Sequence, residues 1–461
     1  MGSGDWSPGR VWGGSPKKEN KNRSMTNETN NRTVAFHTLG CKVNQYDTQA
    51  MRERFERAGY TTVPYEEMAD VYVVNTCTVT GTGDKKSMQA VRRCSRKNPK
   101  ADIVVTGCLA QRAAEELKMP GVRLIIGTQR RGEVVELLQQ AKAEKCTLVA
   151  VESLRQAPFE HLTVHAHEGH TRATMKIQEG CDRWCTYCII PSVRGPIRSR
   201  PLDEIREEAK SLAAAGFAEV VLTGIHLTSY GRELKDGTTL LDAIRAVHEV
   251  AGVERIRIGS LEPVIVTPEF VKGIAQLPKV CHQFHLALQS GSDTVLSRMR
   301  RRYTSGEFLT ACALLRGAFE DCALTTDVMT GFPGETEQEF EETIDTCIAA
   351  GFSRMHVFPY SEREGTKAAE MPGSVPRNIR EERARKLIAL GHKMEKEALL
   401  ARVGKTEEVL IEELDEDGKG VGYTGGYLRV HVQGGEPGTI ARVCIEGVSG
   451  AELFGKSESI L

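Results

Sequence analysis

The sequence predicts an α/β protein of several domains: a parallel α/β domain, a central partial (β/α)6 barrel and a small C-terminal β-barrel. The chain has 461 residues, which suits about three domains of roughly 150 residues each. Short apolar, β-branched runs alternate twice with amphipathic segments, the pattern of parallel strands joined by helices. After residue 404 the pattern changes to short alternating strands separated by glycines, which is typical of a small β-barrel.

The composition excludes several classes of protein. Hydrophobic residues make up 40% and charged residues 27%, an ordinary globular balance. No apolar run approaches the roughly 18 to 20 residues that span a bilayer, and the N-terminus lacks the apolar segment of a secretion signal. Thirteen cysteines are too few for a disulfide scaffold of this length, and spaced cytosolic cysteines more often bind metal or act in catalysis. We therefore expect a cytoplasmic protein without membrane contact.

The N-terminal third contains a tail and one predicted domain. Residues 1–31 carry no apolar period and are predicted to be a disordered tail or a non-native extension before Met25. Residues 32–145 form the parallel α/β domain, with helices near 44–58, 82–96 and 132–143. Residues 146–170 are a connector. The predicted strands of the domain read TVAFHTLG, DVYVVNTC, ADIVVTGC and VRLIIGT.

Three of these strands run directly into a cysteine. The cysteines are Cys41, Cys77 and Cys108. Because the carboxyl ends of parallel strands meet at one edge of a sheet, the three thiols are expected to converge there.

The central domain, residues 171–401, shows six strand–helix steps followed by a charged closing helix at 379–401. Such a barrel gathers its chemistry at the C-terminal ends of its strands. The last domain covers residues 402–461. The predicted central strands are 173–179, 219–223, 255–259, 283–288, 324–331 and 354–359, with helices near 203–215, 239–250, 268–276, 305–319 and 335–350.

The strongest local motif follows the first of these strands: Cys181, Cys185 and Cys188 in the spacing C-x3-C-x2-C. Zinc sites usually combine C-x2-C pairs into four ligands, and no fourth Cys or His follows within twenty residues. Three thiolates on a four-iron cluster leave one iron open to a substrate or cofactor. A structural zinc site or buried free thiols are the alternatives.

This triplet resembles the signature of radical S-adenosylmethionine enzymes. Cys41 in LGCKVNQYD, Cys77 in VNTCTVT and Cys108 in TGCLAQ resemble the N-terminal domain of the methylthiotransferases within that group, and the terminal barrel is similar to their TRAM domain. The resemblance covers about residues 32–461. The motifs LGCKVNQYD and CTYCIIPSVRGPIRSR are most similar to the branch that modifies N6-threonylcarbamoyladenosine in tRNA.

The resemblance implies two 4Fe-4S clusters. Cys181, Cys185 and Cys188 would hold the cluster that binds S-adenosylmethionine, and the N-terminal triplet an auxiliary cluster that carries the inserted sulfur. It further implies two S-adenosylmethionine molecules per turnover and an external one-electron donor such as flavodoxin or ferredoxin. Residues at the strand ends would bind the cofactor: Tyr187, Thr223, Gly224, Glu262, Gln289, Asp327 and Phe358.

Segregated basic residues predict a tRNA surface in a chain of net charge −1. Seven basic residues and no acidic one lie between Lys85 and Lys100; the alternative is a solvated helix face. The terminal domain carries six Lys and Arg against eleven Asp and Glu, so it would use a limited patch near Arg429, His431 and Arg442, with Tyr423 or Tyr427 stacking on bases. The predicted phosphate contacts are Arg92, Arg93, Arg96, Lys97, Arg194, Arg198 and Arg300.

The implied function is a tRNA methylthiotransferase that converts N6-threonylcarbamoyladenosine next to the anticodon to its 2-methylthio derivative. We expect it to act as a monomer. Alternatives are isopentenyladenosine in tRNA or an aspartate side chain of a ribosomal protein as substrate. An alternative of a different class is a non-catalytic metal-containing protein that binds RNA.

Overall fold

The computed structural model describes residues 32–165 and 171–460, and the predicted tail lies outside them. The chain from Arg32 onward forms one compact unit. Along the described residues, no helix combines the length and the apolar character needed to cross a membrane.

The N-terminal domain is a six-stranded sheet in the order β2-β1-β3-β4-β5-β6, in which all neighbouring strands are parallel. Strand β3 is buried along its whole length because helices cover both faces of the sheet. The strands are β1 (Thr33–Thr38), β2 (Thr61–Thr62), β3 (Val71–Thr76), β4 (Asp102–Gly107), β5 (Val122–Ile126) and β6 (Leu148–Ala150); the helices are α1 (Lys42–Arg57), α2 (Gly81–Lys97), α3 (Cys108–Arg112) and α4 (Val134–Ala143).

The predicted parallel α/β domain is confirmed, with one boundary corrected. Strand β6 pairs with β5 although its residues fall in the segment predicted as a connector. The sheet therefore continues to Ala150 rather than ending at residue 145. A three-residue strand is too short to show an alternating pattern in the sequence.

The central domain is a partial barrel of six parallel strands in chain order, with one short antiparallel strand, β8, at the edge. Its two sheets, β10-β9-β7-β8 and β11-β12-β13, are linked by single bridges such as Ile256 to Val280. The strands are β7 (Arg172–Glu179), β8 (Arg198–Ser199), β9 (Glu219–Gly224), β10 (Arg255–Ile258), β11 (Gln283–His285), β12 (Ala323–Thr330) and β13 (Arg354–Pro359).

Eight helices accompany these strands. On β7, Ala173, Met175 and Ile177 pack into the main hydrophobic core with the surrounding helices. Side chains alternate along a strand. Arg172, Thr174 and Lys176 therefore point the other way, into the barrel interior. The helices are α5 (Ile190–Arg194), α6 (Leu202–Ala214), α7 (Leu240–His248), α8 (Pro268–Ala275), α9 (Asp293–Arg298), α10 (Ser305–Ala318), α11 (Glu337–Ala350) and α12 (Arg377–Leu400).

The C-terminal domain is the predicted β-barrel, closed in the order β14-β15-β16-β18-β17. It packs against the first residues of the central strands: Arg255 Nη2 donates to the Glu408 carbonyl at 2.6 Å, and Arg257 Nη1 to the Gly425 carbonyl at 3.0 Å. The strands are β14 (Thr406–Leu414), β15 (Gly420–Thr424), β16 (Arg429–Gln433), β17 (Ile440–Ser449) and β18 (Glu452–Ile460).

Candidate active site

The cysteines of the central triplet lie in the loop that follows β7. Its backbone is fixed at several points: the Cys181 N–H donates to the Gly195 carbonyl and the Cys188 N–H to the Cys185 carbonyl, each at 3.0 Å. Thr186 Oγ1 donates to the Arg298 carbonyl at 2.9 Å. The loop is thus held at the C-terminal end of the barrel strands, where the sequence predicts the site.

The surroundings of these thiols suit a metal group that prefers sulfur ligands. None of the three cysteines forms a disulfide. Burial raises the pKa of Cys181 to about 11 and that of Cys188 to about 12, so both thiols keep their protons until a metal displaces them. Arg301 Nη1 lies 3.4 Å from Cys185 Sγ and places a positive charge beside the thiolate that metal binding would create.

Glu262 holds this arginine in place. Its Oε1 lies 3.0 Å from Arg301 Nη1, and its Oε2 lies 3.1 Å from both Arg183 Nε and His226 Nε2. Burial acts to raise the pKa of Glu262, but the contact with His226 and the charge of Arg301 lower it to about 2. The predicted cofactor residue Glu262 is therefore an ionised group beside the triplet.

Gln289 and Asp327 lie at neighbouring strand ends. Gln289 has a φ of 65°, which is uncommon for a residue other than glycine and is found at functional sites. Its N–H donates to the Asp327 carbonyl at 2.9 Å and its carbonyl accepts from the Met329 N–H at 2.8 Å. On the adjacent strand, His285 Nε2 lies 3.3 Å from Asp327 Oδ2.

The remaining predicted cofactor residues also lie around the barrel opening. Thr223 and Gly224 end β9, and Phe358 is a half-exposed residue of β13. The ring of Tyr187 meets Phe332 edge-on, with 6.5 Å between ring centroids. The opening thus combines backbone groups at strand ends, polar side chains and one aromatic wall.

The N-terminal cysteines lie at one edge of the parallel sheet. Cys41 precedes α1, Cys77 follows β3 and Cys108 follows β4. The segments that carry Cys41 and Cys77 approach each other closely, because a Cβ at Gly40 would lie 3.1 Å from Cys77 Sγ. Gly107, with a φ of 96°, has no room for a side chain either, because a Cβ there would lie 2.4 Å from Asn75 Oδ1.

The two triplets are neighbours. Ile189, which follows Cys188, packs against Cys108. Arg194 Nε donates to Cys108 Sγ at 3.1 Å. Burial nevertheless raises the pKa of Cys108 to about 11, against the influence of Arg194.

No three His, Cys, Asp or Glu side chains in the described part of the chain surround a point where a single metal ion could sit. In a four-iron cluster each thiolate binds a different iron, so its ligands are distributed around the cluster rather than around one ion. The free thiols of each triplet and the arginines beside Cys108 and Cys185 fit such a group.

A buried ion cluster joins the N-terminal domain to the central barrel. Asp47 of α1 receives Lys176 Nζ at 2.6 Å and also pairs with Arg131. Arg194 Nη1 bridges to Glu179, which ends β7, at 3.1 Å and to Asp47 at 3.3 Å. The sequence pattern does not predict this cluster, although Asp47 stands in the LGCKVNQYD motif and Glu179 two residues before Cys181.

Two predicted RNA contacts are wrong. Arg194 is fully buried and Arg198 is 6% exposed, so neither reaches a phosphate on the surface. Arg194 serves the buried ion cluster, and Arg198 Nη2 donates to the Arg194 carbonyl at 2.7 Å. The charge of Arg194 compensates the buried carboxylates of Asp47 and Glu179.

The other predicted RNA contacts lie at the surface. Arg92, Arg93 and Arg96 are exposed on α2, and Arg300 is exposed after α9. Lys97 is half-buried and donates to the Tyr65 carbonyl at 2.7 Å, so its ammonium already has a hydrogen-bond partner within the protein.

Tyr423 and Tyr427 also differ from the expectation. Their rings stack on each other with 5.0 Å between centroids, and the Arg172 guanidinium lies 4.8 Å from one centroid and 5.0 Å from the other. Both rings belong to the junction with the central barrel, and the predicted stacking on bases is therefore wrong.

Family models match three segments of the chain: "Uncharacterized protein family UPF0004" at residues 33–127, "Radical SAM superfamily" at 175–347 and "TRAM domain" at 400–457. Among solved structures, the radical S-adenosylmethionine methyltransferase TsrM from Kitasatospora setae, with cobalamin and a 4Fe-4S cluster bound, gives a TM-score of 0.52 at 16% identity over 71% of this chain and 75% of that chain. At this identity the likeness concerns the fold alone.

Sequence relatives cover nearly the whole chain. It is 44% identical to the threonylcarbamoyladenosine tRNA methylthiotransferase MtaB of Bacillus subtilis (strain 168), over 90% of this chain and 93% of that protein. Identity to the protein of the same name from Aquifex aeolicus is 40%, over 82% and 92%. Identity to the tRNA-2-methylthio-N(6)-dimethylallyladenosine synthase of Moorella thermoacetica is 37%, over 83% and 87%. With these relatives, three matching domains and two cysteine triplets at one junction, the chain belongs to the radical S-adenosylmethionine methylthiotransferase family.

Proposed function

We propose that the protein converts N6-threonylcarbamoyladenosine next to the anticodon of tRNA to its 2-methylthio derivative. The observation that carries this proposal is the adjacency of the two triplets, through Ile189 against Cys108 and Arg194 on Cys108 Sγ. Two sites this close together could act in turn on the same substrate atom. The 44% identity to a threonylcarbamoyladenosine tRNA methylthiotransferase over 90% of the chain supports the choice of nucleoside.

Each triplet would hold one 4Fe-4S cluster, and the central one would also bind S-adenosylmethionine. When bound, these groups supply the one-electron chemistry, the sulfur and the methyl group, with two S-adenosylmethionine molecules and an electron from a donor such as flavodoxin or ferredoxin per turnover. Arg301 and Arg194 each place a guanidinium beside one cysteine sulfur, of Cys185 and Cys108 respectively. A tRNA substrate implies a cytoplasmic location, and we propose a monomer.

The chain's own residues bind and orient the substrate and exclude water from it. Tyr187 and Phe332 form an apolar wall beside the central triplet, and the left-handed turn at Gln289 brings backbone groups to the mouth of the barrel. The exposed arginines of α2 would hold tRNA phosphates. These roles are orientation and shielding, which the cofactor chemistry requires of the protein.

Nucleoside mass spectrometry of tRNA from a deletion strain tests the substrate. We expect the 2-methylthio derivative of N6-threonylcarbamoyladenosine to disappear and to return with the wild-type gene. Loss of the methylthiolated isopentenyl nucleoside instead would establish the alternative substrate. An unchanged set of tRNA nucleosides would contradict the proposal and leave the ribosomal-protein aspartate or a non-catalytic role.

The variant Cys77→Ala tests the auxiliary site, with Cys94→Ala, a buried cysteine of the same domain, as the matched control. Cys77→Ala should lose about half of the iron, as expected for one of two four-iron clusters. It should still release 5′-deoxyadenosine but form no methylthiolated nucleoside. Near wild-type product from Cys77→Ala would remove the auxiliary cluster from the proposal, while Cys94→Ala should retain both activities.

A further inference from the structure

Lys42 is an ammonium group that the proposed chemistry does not use. It is the first residue of α1 and follows Cys41 directly. Its Nζ lies 5.9 Å from the ring centroid of Tyr427. Among the described residues, this cation–π contact is its only partner, without an ion pair or a hydrogen bond from the ammonium.

Two other cations surround the same ring, but both are neutralised. The guanidinium of Arg172 lies 5.0 Å from the Tyr427 centroid and pairs with Glu412. The guanidinium of Arg257 lies 4.7 Å away and pairs with Glu219 at 2.7 Å. Among the described residues, Lys42 is therefore the cation at this junction without a carboxylate at ion-pair distance, and Glu219, which is paired with Arg257, attracts it only from farther away.

The Lys42 side chain is reached by solvent although protein surrounds it on several sides. Its side chain is exposed to solvent, yet burial by the surrounding protein lowers the pKa of its ammonium, with Arg172 and Arg257 among the other contributors. The ammonium thus lies at the junction of the N-terminal, central and C-terminal domains, beside Tyr427 and the two guanidinium groups around that ring. An unpaired cation in such a place is costly unless an anion binds to it.

The Tyr427 ring beside Lys42 is held in place by its backbone and by a neighbouring ring. Its φ of 65° lies in the left-handed region, and its N–H donates to the Thr424 carbonyl at 2.9 Å. Tyr423 stacks on it. Burial acts to raise the pKa of Tyr427, but the charges of Arg172 and Lys42 lower it, which reflects an excess of positive charge at this point.

We propose that Lys42 binds the carboxylate of the threonylcarbamoyl substituent and is a specificity-determining residue for the nucleoside. This inference rests on the proposed function. The carboxylate carbon is seven bonds from carbon 2, the atom that receives sulfur, so its partner belongs in the neighbourhood of the auxiliary site rather than in contact with it. Lys42 adjoins Cys41 and meets that requirement.

The same geometry explains discrimination against an apolar substituent. A dimethylallyl group has no charge and would leave the Lys42 ammonium unpaired and further desolvated. Sites built for a polar group reject analogues that lack it, because their own polar atoms lose their partner. Lys42 would thus act by penalising the wrong nucleoside as well as by attracting the right one.

Binding to iron-free, full-length protein tests the proposal without any contribution from turnover. The probes are three anticodon stem-loops that differ at one nucleoside: N6-threonylcarbamoyladenosine, its uncharged carboxamide, and adenosine. Lys42→Met should weaken binding of the first stem-loop by roughly tenfold to a hundredfold, the loss for one hydrogen bond to a charged group. Binding of the carboxamide and adenosine stem-loops should stay unchanged, and Lys42→Arg should restore much of the preference.

The control is Lys210→Met, which removes an exposed lysine of α6 and should leave all three affinities unchanged. If wild-type protein prefers the charged stem-loop and Lys42→Met keeps that preference, Lys42 is not the carboxylate partner and this inference fails alone. If wild-type protein binds the three stem-loops alike, the assignment of threonylcarbamoyladenosine fails together with it. Equal weakening of all three by Lys42→Met would assign Lys42 to general RNA contact and also overturn the inference.

Discussion

Replacing Arg194 by methionine should lower the free energy of unfolding by about 3–5 kcal/mol. Arg194 is fully buried, and its guanidinium contacts two buried carboxylates and the Cys108 thiol. The ion cluster around it is balanced, with three cations and three anions. Methionine fills much of the volume but leaves one carboxylate charge uncompensated, and losing one partner of a buried pair costs about this much. The cluster consists of Arg131, Lys176 and Arg194 with Asp47, Glu160 and Glu179.

The charge balance itself can be tested by a second substitution. Arg194→Met with Glu179→Gln restores an equal number of cations and anions. Because the two side chains are in contact, the double variant should be more stable than the sum of the single effects by about 0.5–3 kcal/mol. Additive losses would show that charge compensation does not govern the stability of the cluster.

Urea denaturation of the iron-free protein at pH 7, followed by circular dichroism, provides the measurement. The slope of the unfolding free energy against urea should stay unchanged. Arg300→Met, which removes an exposed arginine, is the control and should change stability by less than about 0.5 kcal/mol. A loss below about 1 kcal/mol for Arg194→Met would refute the reasoning.

Three further predictions concern the surface, the central triplet and pH. Replacing Arg92 and Arg96 by glutamine should weaken tRNA binding and reduce the steepness of log K against log salt by about 1.5, the effect of two phosphate contacts; an unchanged slope would identify α2 as a solvated face. Cys185→Ala should abolish release of 5′-deoxyadenosine and halve the iron content without changing tRNA affinity, and cleavage at the wild-type rate would contradict the assignment. Glu262 has a pKa of about 2 against an ordinary 4.5, so the stability that its charge contributes, about 3 kcal/mol, is full above pH 4.5 and declines as the pH falls towards 2. In urea titrations the difference in unfolding free energy between wild type and Glu262→Gln should therefore be smaller at pH 3.5 than at pH 7. Equal differences at the two pH values would show that the charge of Glu262 does not contribute this stability.

Sequence reasoning succeeded where the signal is local. A β-branched run that ends in a cysteine is visible in a few residues, and three such runs suffice to place Cys41, Cys77 and Cys108 at one sheet edge. The glycine-rich terminal barrel is equally local, because turn residues and alternation recur within short distances.

Sequence reasoning failed where the partner is remote. The sequence predicts an RNA contact for Arg194 because one of its two carboxylate partners, Asp47, lies 147 residues away, and nothing in the local pattern shows that the two meet. Tyr427 was assigned to base stacking because the sequence does not show that Arg172 and Tyr423 cover its ring. Composition predicts that charges must be solvated or paired, but only the packing of domains decides which.

The buried ion cluster also bears on the order in which the chain is made. Asp47 and Arg131 leave the ribosome before Lys176 and Arg194, and at about 5–20 residues per second the interval is on the order of several seconds. During that interval the N-terminal sheet can form with its thiols uncovered and with only part of its charge compensation. A fragment ending at Ala150 would remain permanently in that state, with Asp47 deprived of two of its three cationic partners. The N-terminal sheet is therefore completed by its neighbour, and on its own it would keep Arg131 as the one cation beside Asp47.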